Sequence, residues 1–276
     1  MTPLTIRQAL AQSGLAPIDA QVLLAHTLGT SRAGLAAHAT DAVLREHADK
    51  FFALAQRRRS GEPVAYLTGL REFWGLSLIV TPNVLIPRPE TETVVEQALA
   101  RLPRDRALRI LDLGTGSGAI ALAIGKERPD AAVIATDSSE PALWVARTNA
   151  RRTGIFNVEF ICADWYDDAA LQASAGAFDM IVSNPPYIAA TDRHLGEGDV
   201  RFEPIAALTP GGDGLSALAT IVAGAPSRLV TGGSLNVEHG HDQAADVKAL
   251  MEAAAFGELE SARDLAGIPR VAIGTR

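Results

Sequence analysis

The sequence predicts an α/β protein: a mostly parallel, seven-stranded sheet covered on both faces by helices, preceded by a small all-α domain and a β-hairpin connector. Three observations carry this expectation. From about residue 108, short apolar runs alternate with helical patterns, the signature of strands joined by helical crossovers. Before residue 70, apolar residues recur every three or four positions and glycines stand where helices should stop. Between the two lies a β-prone run with Gly75 inside it and three prolines between positions 82 and 89, which no helix could tolerate.

The elements follow in chain order. Residues 1–70 hold the amphipathic patterns "TIRQALAQSG", "PIDAQVLLAHTLG" and "DAVLREHADKFFALAQRRRSG", with Gly14, Gly29 and Gly61 as stops. Residues 71–88, within "REFWGLSLIVTPNVLIPRPE", read as the hairpin connector, and residues 89–276 as the sheet domain. That domain reads as strand "LRILDL", helix "GAIALAIGKER", strand "AAVIAT", helix "EPALWVARTNARR", then strands "NVEFICA" and "FDMIVS". A helix around 214–229, strand "SLNVEH", helix "HDQAADVKALMEAAA" and strands at 257–262 and in "RVAIGT" complete it. Residues 188–213, rich in Gly, Asp and Pro, form a long connection of the kind that is often functional.

Composition narrows the function classes. With 47% hydrophobic and 21% charged residues over 276 positions, a sizeable core is expected and disorder is not. The 25 basic against 32 acidic residues leave a net charge of -7, which argues against stable binding of nucleic acid, where phosphate neutralisation dominates. The single Cys162, placed by its strand in the core, excludes an internal disulfide framework and points to a reducing compartment. No leader-like start and no charge-free apolar run of spanning length occurs, so a cytoplasmic protein without membrane attachment is expected.

"LDLGTGSGAI" sets Gly114, Gly116 and Gly118 directly after a strand and at a helix start, with Thr115 and Ser117 between them. Glycines there allow tight backbone and close approach of a ligand. The pattern also satisfies the relaxed dinucleotide fingerprint, with Asp137 about twenty residues on to hold a ribose, so a nicotinamide dinucleotide and S-adenosyl-L-methionine both remain open. Asp112 tilts the reading to S-adenosyl-L-methionine. Its carboxylate would repel a pyrophosphate but help hold the ammonium of a methionine tail. Asp164 and Trp165 after the third strand add an acceptor for an adenine amino group and an indole to pack on the ring.

"SNPPY" ends "FDMIVS" on the same edge of the sheet as the glycine loop. Asn184 and Pro185 each precede a proline and are pushed into extended conformations, so the segment is stiff and rich in carbonyls. The side-chain oxygen of Asn184 and the carbonyl of Pro185 are two acceptors suited to both hydrogens of a planar NH2 group, with Pro186 as stiffener and Tyr187 as an aromatic wall. Such a nitrogen is a poor nucleophile because its lone pair is delocalised. Gripping its hydrogens favours the more nucleophilic form and aligns it with a sulfonium methyl group, with no metal and no covalent nucleophile required.

Together, "NPPY" and "LDLGTGSGAIAL" resemble the class I methyltransferases that modify planar nitrogens. "GEPVAYLTGLREFWGL", "LIPRPETE", "GDVRFEPIAAL", "EHG" and "RDLAGIPRV" narrow the resemblance, over essentially the whole chain, to the PrmC/HemK family of release factor glutamine methyltransferases. The resemblance implies a Rossmann-like class I S-adenosylmethionine-dependent methyltransferase fold and an N-terminal domain that recognises substrate. It also implies methylation of the glutamine in the Gly-Gly-Gln motif of class I peptide chain release factors, with S-adenosyl-L-homocysteine as product. By motif position, Gly114 to Gly118, Asp137, Trp165 and Asn184 would contact the cofactor, and Asn184, Pro185, Pro186 and Tyr187 the glutamine. A monomer is expected. Adenine-N6 methylation of DNA or RNA is the alternative, disfavoured by the acidic balance. Asn236 departs from the family pattern, standing where an apolar strand residue is expected.

Three features invite other readings. Glu238, His239 and His241 crowd a strand end without a further ligand cluster, so no metal is expected. Arg57, Arg58 and Arg59 spread around a helix and read as a solvated surface. In "RFEP", Arg201 is expected either near the substrate or in a structural pair with Glu203.

Overall fold

The computed structural model describes residues 3–172 and 176–276; the first two residues of the expected helical domain lie outside them. The chain divides into two units. One runs to Leu70 and includes Glu197–Phe202; the other comprises Arg71–Gly196 and Glu203–Arg276.

The helical unit contains α1 (Ile6–Gln12), α2 (Pro17–Leu28), α3 (Arg32–Ala37), α4 (Arg45–Arg59) and α5 (Val64–Thr68). Thr5 begins α1 with a capping box: its hydroxyl accepts the Gln8 N–H and the Gln8 side chain accepts the Thr5 N–H. Pro17 starts α2, and Gly29 ends it in the left-handed region at φ 62°. Leu23, Leu24, Leu35 and Phe51 form the fully enclosed centre. The third expected helix, α4 here, starts at Arg45 rather than Asp41, because Ala42 pairs with Thr5 and the Val43 N–H goes to the Leu4 carbonyl.

Arg57 and Arg59 are exposed and Arg58 is half-buried, and each of the three is also bonded within this unit. Arg57 pairs with Glu62, and Arg58 reaches both Asp19 at 2.8 Å and Asp199 at 2.6 Å. Arg59 donates to the Ser13 carbonyl. Arg201 donates to the Ser60 carbonyl at 2.8 Å, which replaces the expected pair with Glu203. A run of like charge was legible in the sequence, but its partners lie up to 141 residues away.

The larger unit opens at Arg71, within the hairpin of β1 (Leu70–Phe73) and β2 (Leu76–Ile79). Its two-residue turn has φ 52° at Trp74 and 66° at Gly75, the left-handed pair that a tight hairpin requires. Trp74 pays the steric cost with a hydrogen bond from its N–H to Glu92 Oε1 at 2.8 Å. A 3-10 turn, Pro89–Thr91, then leads into α6 (Glu92–Arg101), a helix absent from the sequence reading. Val94, Val95 and Ala98 are its buried stripe.

The sheet and its crossovers follow: β3 (Arg109–Leu113), α7 (Ala119–Glu127), β4 (Ala132–Asp137), α8 (Glu140–Thr153) and β5 (Val158–Cys162). Next come α9 (Ala169–Gln172), β6 (Phe178–Ser183), α10 (Ile205–Leu208), α11 (Ser216–Gly224) and β7 (Leu229–Glu238). The chain ends with α12 (Ala244–Ala253), β8 (Gly257–Arg263) and β9 (Pro269–Thr275). The seven strands lie in the order β5-β4-β3-β6-β7-β9-β8, parallel except where β9 pairs with β7 and β8. Alternation along β3 sends Ile110 to the layer of α6 and α7, and Leu111 and Leu113 to that of α11 and α12. Cys162, expected in the core, is exposed because β5 is an edge strand. Among the described residues no helix is long and apolar enough to cross a membrane.

Candidate active site

Parallel strands end on one edge of the sheet, so the loops that follow β3, β4, β5 and β6 converge there. A cavity opens at this edge, lined from the connector by Val84 and Arg88, then by Thr91, Gly114 to Ser117, Asp137, Asp164, Trp165, Asn184 and Pro186. Pro204 and Ala207, from the long connection after "NPPY", line its other side.

The glycine loop is held by its own polar groups. Asp137, at the end of β4, accepts the Gly116 N–H on Oδ2 at 2.8 Å and the Ser139 N–H on Oδ1 at 2.9 Å. Burial raises its pKa, and these two N–H groups oppose the rise. A Cβ at Gly116 would meet no atom within 4 Å and would stand in open space, while one at Gly114 would lie 3.5 Å from the Trp165 ring. Trp165 adopts φ 52°, a left-handed conformation costly for a bulky residue. Asn149, on α8 and fully enclosed, donates to the Ser117 carbonyl at 2.9 Å and exchanges two hydrogen bonds with the backbone of Ile79. It ties the loop to the hairpin.

Two residues of the expected cofactor set lie elsewhere. Asp112 is fully buried beneath the loop, not in the cavity wall; its Oδ2 accepts from the Thr115 hydroxyl at 2.7 Å and from the Ala121 N–H at 3.2 Å. Desolvation pushes its pKa up to about 7, and its Oδ1 has no hydrogen-bond partner among the described residues. Its Oδ2 braces the turn. Gly118 begins α7, and a Cβ there would stand 3.1 Å from Leu122 and 3.2 Å from Ala146. Its smallness serves helix packing.

The donor set that does face the cavity suits a nucleoside. A carboxylate at a strand end accepts from ribose hydroxyls, a second carboxylate is available to an amino group, and an indole offers an apolar face. An open backbone at Gly116 leaves room for close approach.

Of the four "NPPY" residues, Asn184 and Pro186 line the cavity, Pro185 is buried and Tyr187 is half-buried. Asn184 Nδ2 donates to Thr91 Oγ1 at 3.0 Å, and among the described residues none donates to Asn184 Oδ1. The Tyr187 hydroxyl donates to Glu238 Oε1 at 3.2 Å, and burial raises its pKa. Its carbonyl accepts from Gln243 Nε2 at 2.9 Å.

The sequence reading missed Arg88 and Thr91 here and offered Glu203 only as a partner for Arg201. Glu203, with a fully buried side chain, pairs with Arg88 at 2.5 Å and accepts the Ile86 N–H at 3.1 Å. That pair clips the long connection to the cavity rim. "LIPRPETE" and "RFEP" contain all three, but their partners are about a hundred residues distant, beyond any local pattern. His239 is enclosed and its Nδ1 lies 2.7 Å from the Gly240 carbonyl, whereas His241 is exposed. Among the described residues no three His, Cys, Asp or Glu side chains are grouped to hold a metal ion.

Comparison with known proteins adds to this geometry. The PrmC N-terminal domain matches residues 5–69, and the methyltransferase small domain matches residues 94–213. The chain is 52% identical over 269 residues to a release factor glutamine methyltransferase of Bordetella pertussis, covering 98% of each chain. It is 50% identical over 279 residues to that of Burkholderia pseudomallei, covering 99% of this chain and 96% of the other. A methyltransferase from Pyrococcus furiosus shares the fold, with 18% identity, a TM-score of 0.53 and coverage of 80% of this chain and 96% of that one.

Proposed function

Because the chain belongs to the release factor glutamine methyltransferase family, we propose that it methylates the side-chain amide nitrogen of the glutamine in the Gly-Gly-Gln motif of class I peptide chain release factors. The methyl donor is S-adenosyl-L-methionine, which supplies an electrophilic methyl group and leaves as S-adenosyl-L-homocysteine. The observation that carries this reading is the Asn184 amide: its Nδ2 is committed to Thr91, which leaves Oδ1 as an acceptor at the rim of the cavity that holds Asp137 and Trp165.

Each residue has a defined part. Asp137 receives the ribose hydroxyls while holding the glycine loop by the Gly116 N–H and the start of α8 by the Ser139 N–H. Trp165 and Asp164 receive the adenine. Asn184 Oδ1 and the Pro185 carbonyl accept the two amide hydrogens of the glutamine, and Tyr187 closes the far side. Holding both hydrogens turns the nitrogen lone pair out of conjugation and toward the methyl group, and such orientation is worth up to about 7–11 kcal/mol in favourable cases. The excess proton on nitrogen leaves to water after transfer. We place the enzyme in the cytoplasm as a monomer that requires no metal and holds no nucleic acid stably, in keeping with its net charge of -7.

The test is transfer of labelled methyl from S-adenosyl-L-methionine to purified release factor, beside a Gln-to-Ala release factor and a DNA control. Label in the native release factor alone is the expected result. Label in DNA alone would establish adenine methylation instead.

A further inference from the structure

Tyr187 closes the "NPPY" segment, and one short stretch of chain holds it at both ends. β6 and β7 run parallel with Ser183 paired to Val237, so the chain leaving β6 at Asn184 runs beside the chain leaving β7 at Glu238. From that second chain, Glu238 Oε1 accepts the Tyr187 hydroxyl at 3.2 Å, and Gln243 Nε2 donates to the Tyr187 carbonyl at 2.9 Å. A Cβ on Gly214 would overlap the same carbonyl oxygen, so the peptide has no room to turn.

Each holding group is itself fixed. Gln243 stands just before α12 and is 8% exposed; its Oε1 accepts the Gly240 N–H at 2.9 Å, so the end of the amide turned to Tyr187 is the donor. Glu238 ends β7 and is 1% exposed, and its Oε2 has no hydrogen-bond partner among the described residues. A carboxyl buried on these terms is costly to a fold, so stability does not account for it. Burial also raises the Tyr187 pKa above its ordinary value, which keeps the hydroxyl protonated and a donor.

The two bonds restrain different motions. A tyrosine side chain has two torsions, and holding its hydroxyl, the atom farthest from the backbone, stops the ring from swinging. Holding the carbonyl stops the adjoining peptide plane from rotating. A hydroxyl given to Glu238 is also withheld from a substrate, so what Tyr187 has to offer is the face of its ring.

We infer that Glu238 and Gln243 are positioning residues that act on the reaction through Tyr187: the carboxyl holds its hydroxyl, the amide holds its carbonyl, and together they fix the plane of the ring against which a planar NH2 group lies. The inference rests on the proposed methylation, in which Tyr187 closes the far side of the glutamine amide. A nitrogen that must meet a methyl group in line is sensitive to its wall, since a misplacement of about 1 Å can cost about 100-fold in rate.

The test uses the full-length enzyme, S-adenosyl-L-methionine and release factor, with Tyr187→Phe, Glu238→Met, Glu238→Gln, Gln243→Glu and the double variant Tyr187→Phe/Glu238→Met. Tyr187→Phe keeps the ring and removes the hydroxyl, whereas Glu238→Met removes the acceptor at similar volume. Each should lower kcat about 5- to 50-fold while the Kd of the methyl donor stays within about threefold, because Tyr187 lies outside the cavity lining. Glu238→Gln still bonds the hydroxyl and should restore kcat to within a few-fold. The double variant should be little worse than the more impaired single one, because both break one bond. Gln243→Glu keeps an acceptor for Gly240 but sets a second acceptor against the Tyr187 carbonyl, and should lower kcat by a similar factor. If Glu238→Met does not fold, Tyr187→Phe breaks the same bond from its other end. An unchanged kcat in folded Tyr187→Phe or Gln243→Glu, losses that multiply in the double variant, or a Glu238→Gln as impaired as Glu238→Met overturns the inference alone. Failure of the unaltered enzyme to label the glutamine overturns the proposed reaction, and this inference with it.

Discussion

Asp137 Oδ2 accepts the Gly116 N–H at 2.8 Å, so the carboxylate proposed to receive a ribose also holds the glycine loop in shape. Asp137→Ala should remove both contributions at once. The Kd for S-adenosyl-L-methionine, read by titration calorimetry, is expected to rise at least about 10-fold, because hydrogen bonds to a charged group are each worth about 1.5–3 kcal/mol. Equal affinity in the variant would move the ribose elsewhere.

Asn149 makes three hydrogen bonds from a fully enclosed position, two to Ile79 and one to Ser117. Asn149→Leu leaves a buried N–H and two carbonyls unpaired, and should lower unfolding free energy by about 2–4 kcal/mol. Urea denaturation measures it. Methyl-donor affinity should fall as well, since the Ser117 carbonyl loses its anchor.

Asp112 yields a pH-dependent prediction. Its folded pKa, raised to about 7 by burial, exceeds the ordinary 3.8, so the folded state binds more protons than the unfolded one between these values. Stability from this group is therefore fully present below about pH 4 and is lost as pH rises toward 7. Asp112→Asn keeps an oxygen for Thr115 and Ala121 but cannot ionise. Its stability relative to the unaltered protein should improve from pH 5 to pH 8, by about 1–4 kcal/mol, in melts across that range.

Arg88 and Glu203 join the connector to the loop behind the cavity. Arg88→Ala leaves the buried Glu203 carboxylate without its cation and should destabilise by about 3 kcal/mol. Adding Glu203→Gln to Arg88→Ala should recover part of that loss, because the uncompensated charge is then gone. A double variant less stable than Arg88→Ala would show that the pair is not the source of the cost.

What could be read in advance depended on range. The strands from Arg109 to Thr275 and the turn at Gly114 to Gly118 announce themselves through local periodicity and glycine spacing, and the sheet has that form. The α6 helix was hidden behind the prolines at 82, 87 and 89, which made the whole stretch look like connector, although Val94, Val95 and Ala98 carry a helical stripe. Asp112, expected to face the ligand, is enclosed with its Oδ2 bonded into the turn, because sequence distance to Gly114 does not fix a side chain's direction. Thr91 and Arg88 had no local signal, and Glu203 was read only against its neighbour Arg201. Their meaning comes from partners 93 to 115 residues away, which only the fold brings near.

Glu197–Phe202 falls within the helical unit although the chain on either side of it belongs to the other, and Asp199 is there to meet Arg58. Neither unit is therefore encoded by one continuous stretch of the gene. Exchange of the N-terminal helices between relatives would have to carry six residues from the far half of the sequence with them. A graft that stopped at residue 70 would pair its new arginine with another lineage's aspartate, and mismatches there would be inherited as instability rather than as altered specificity.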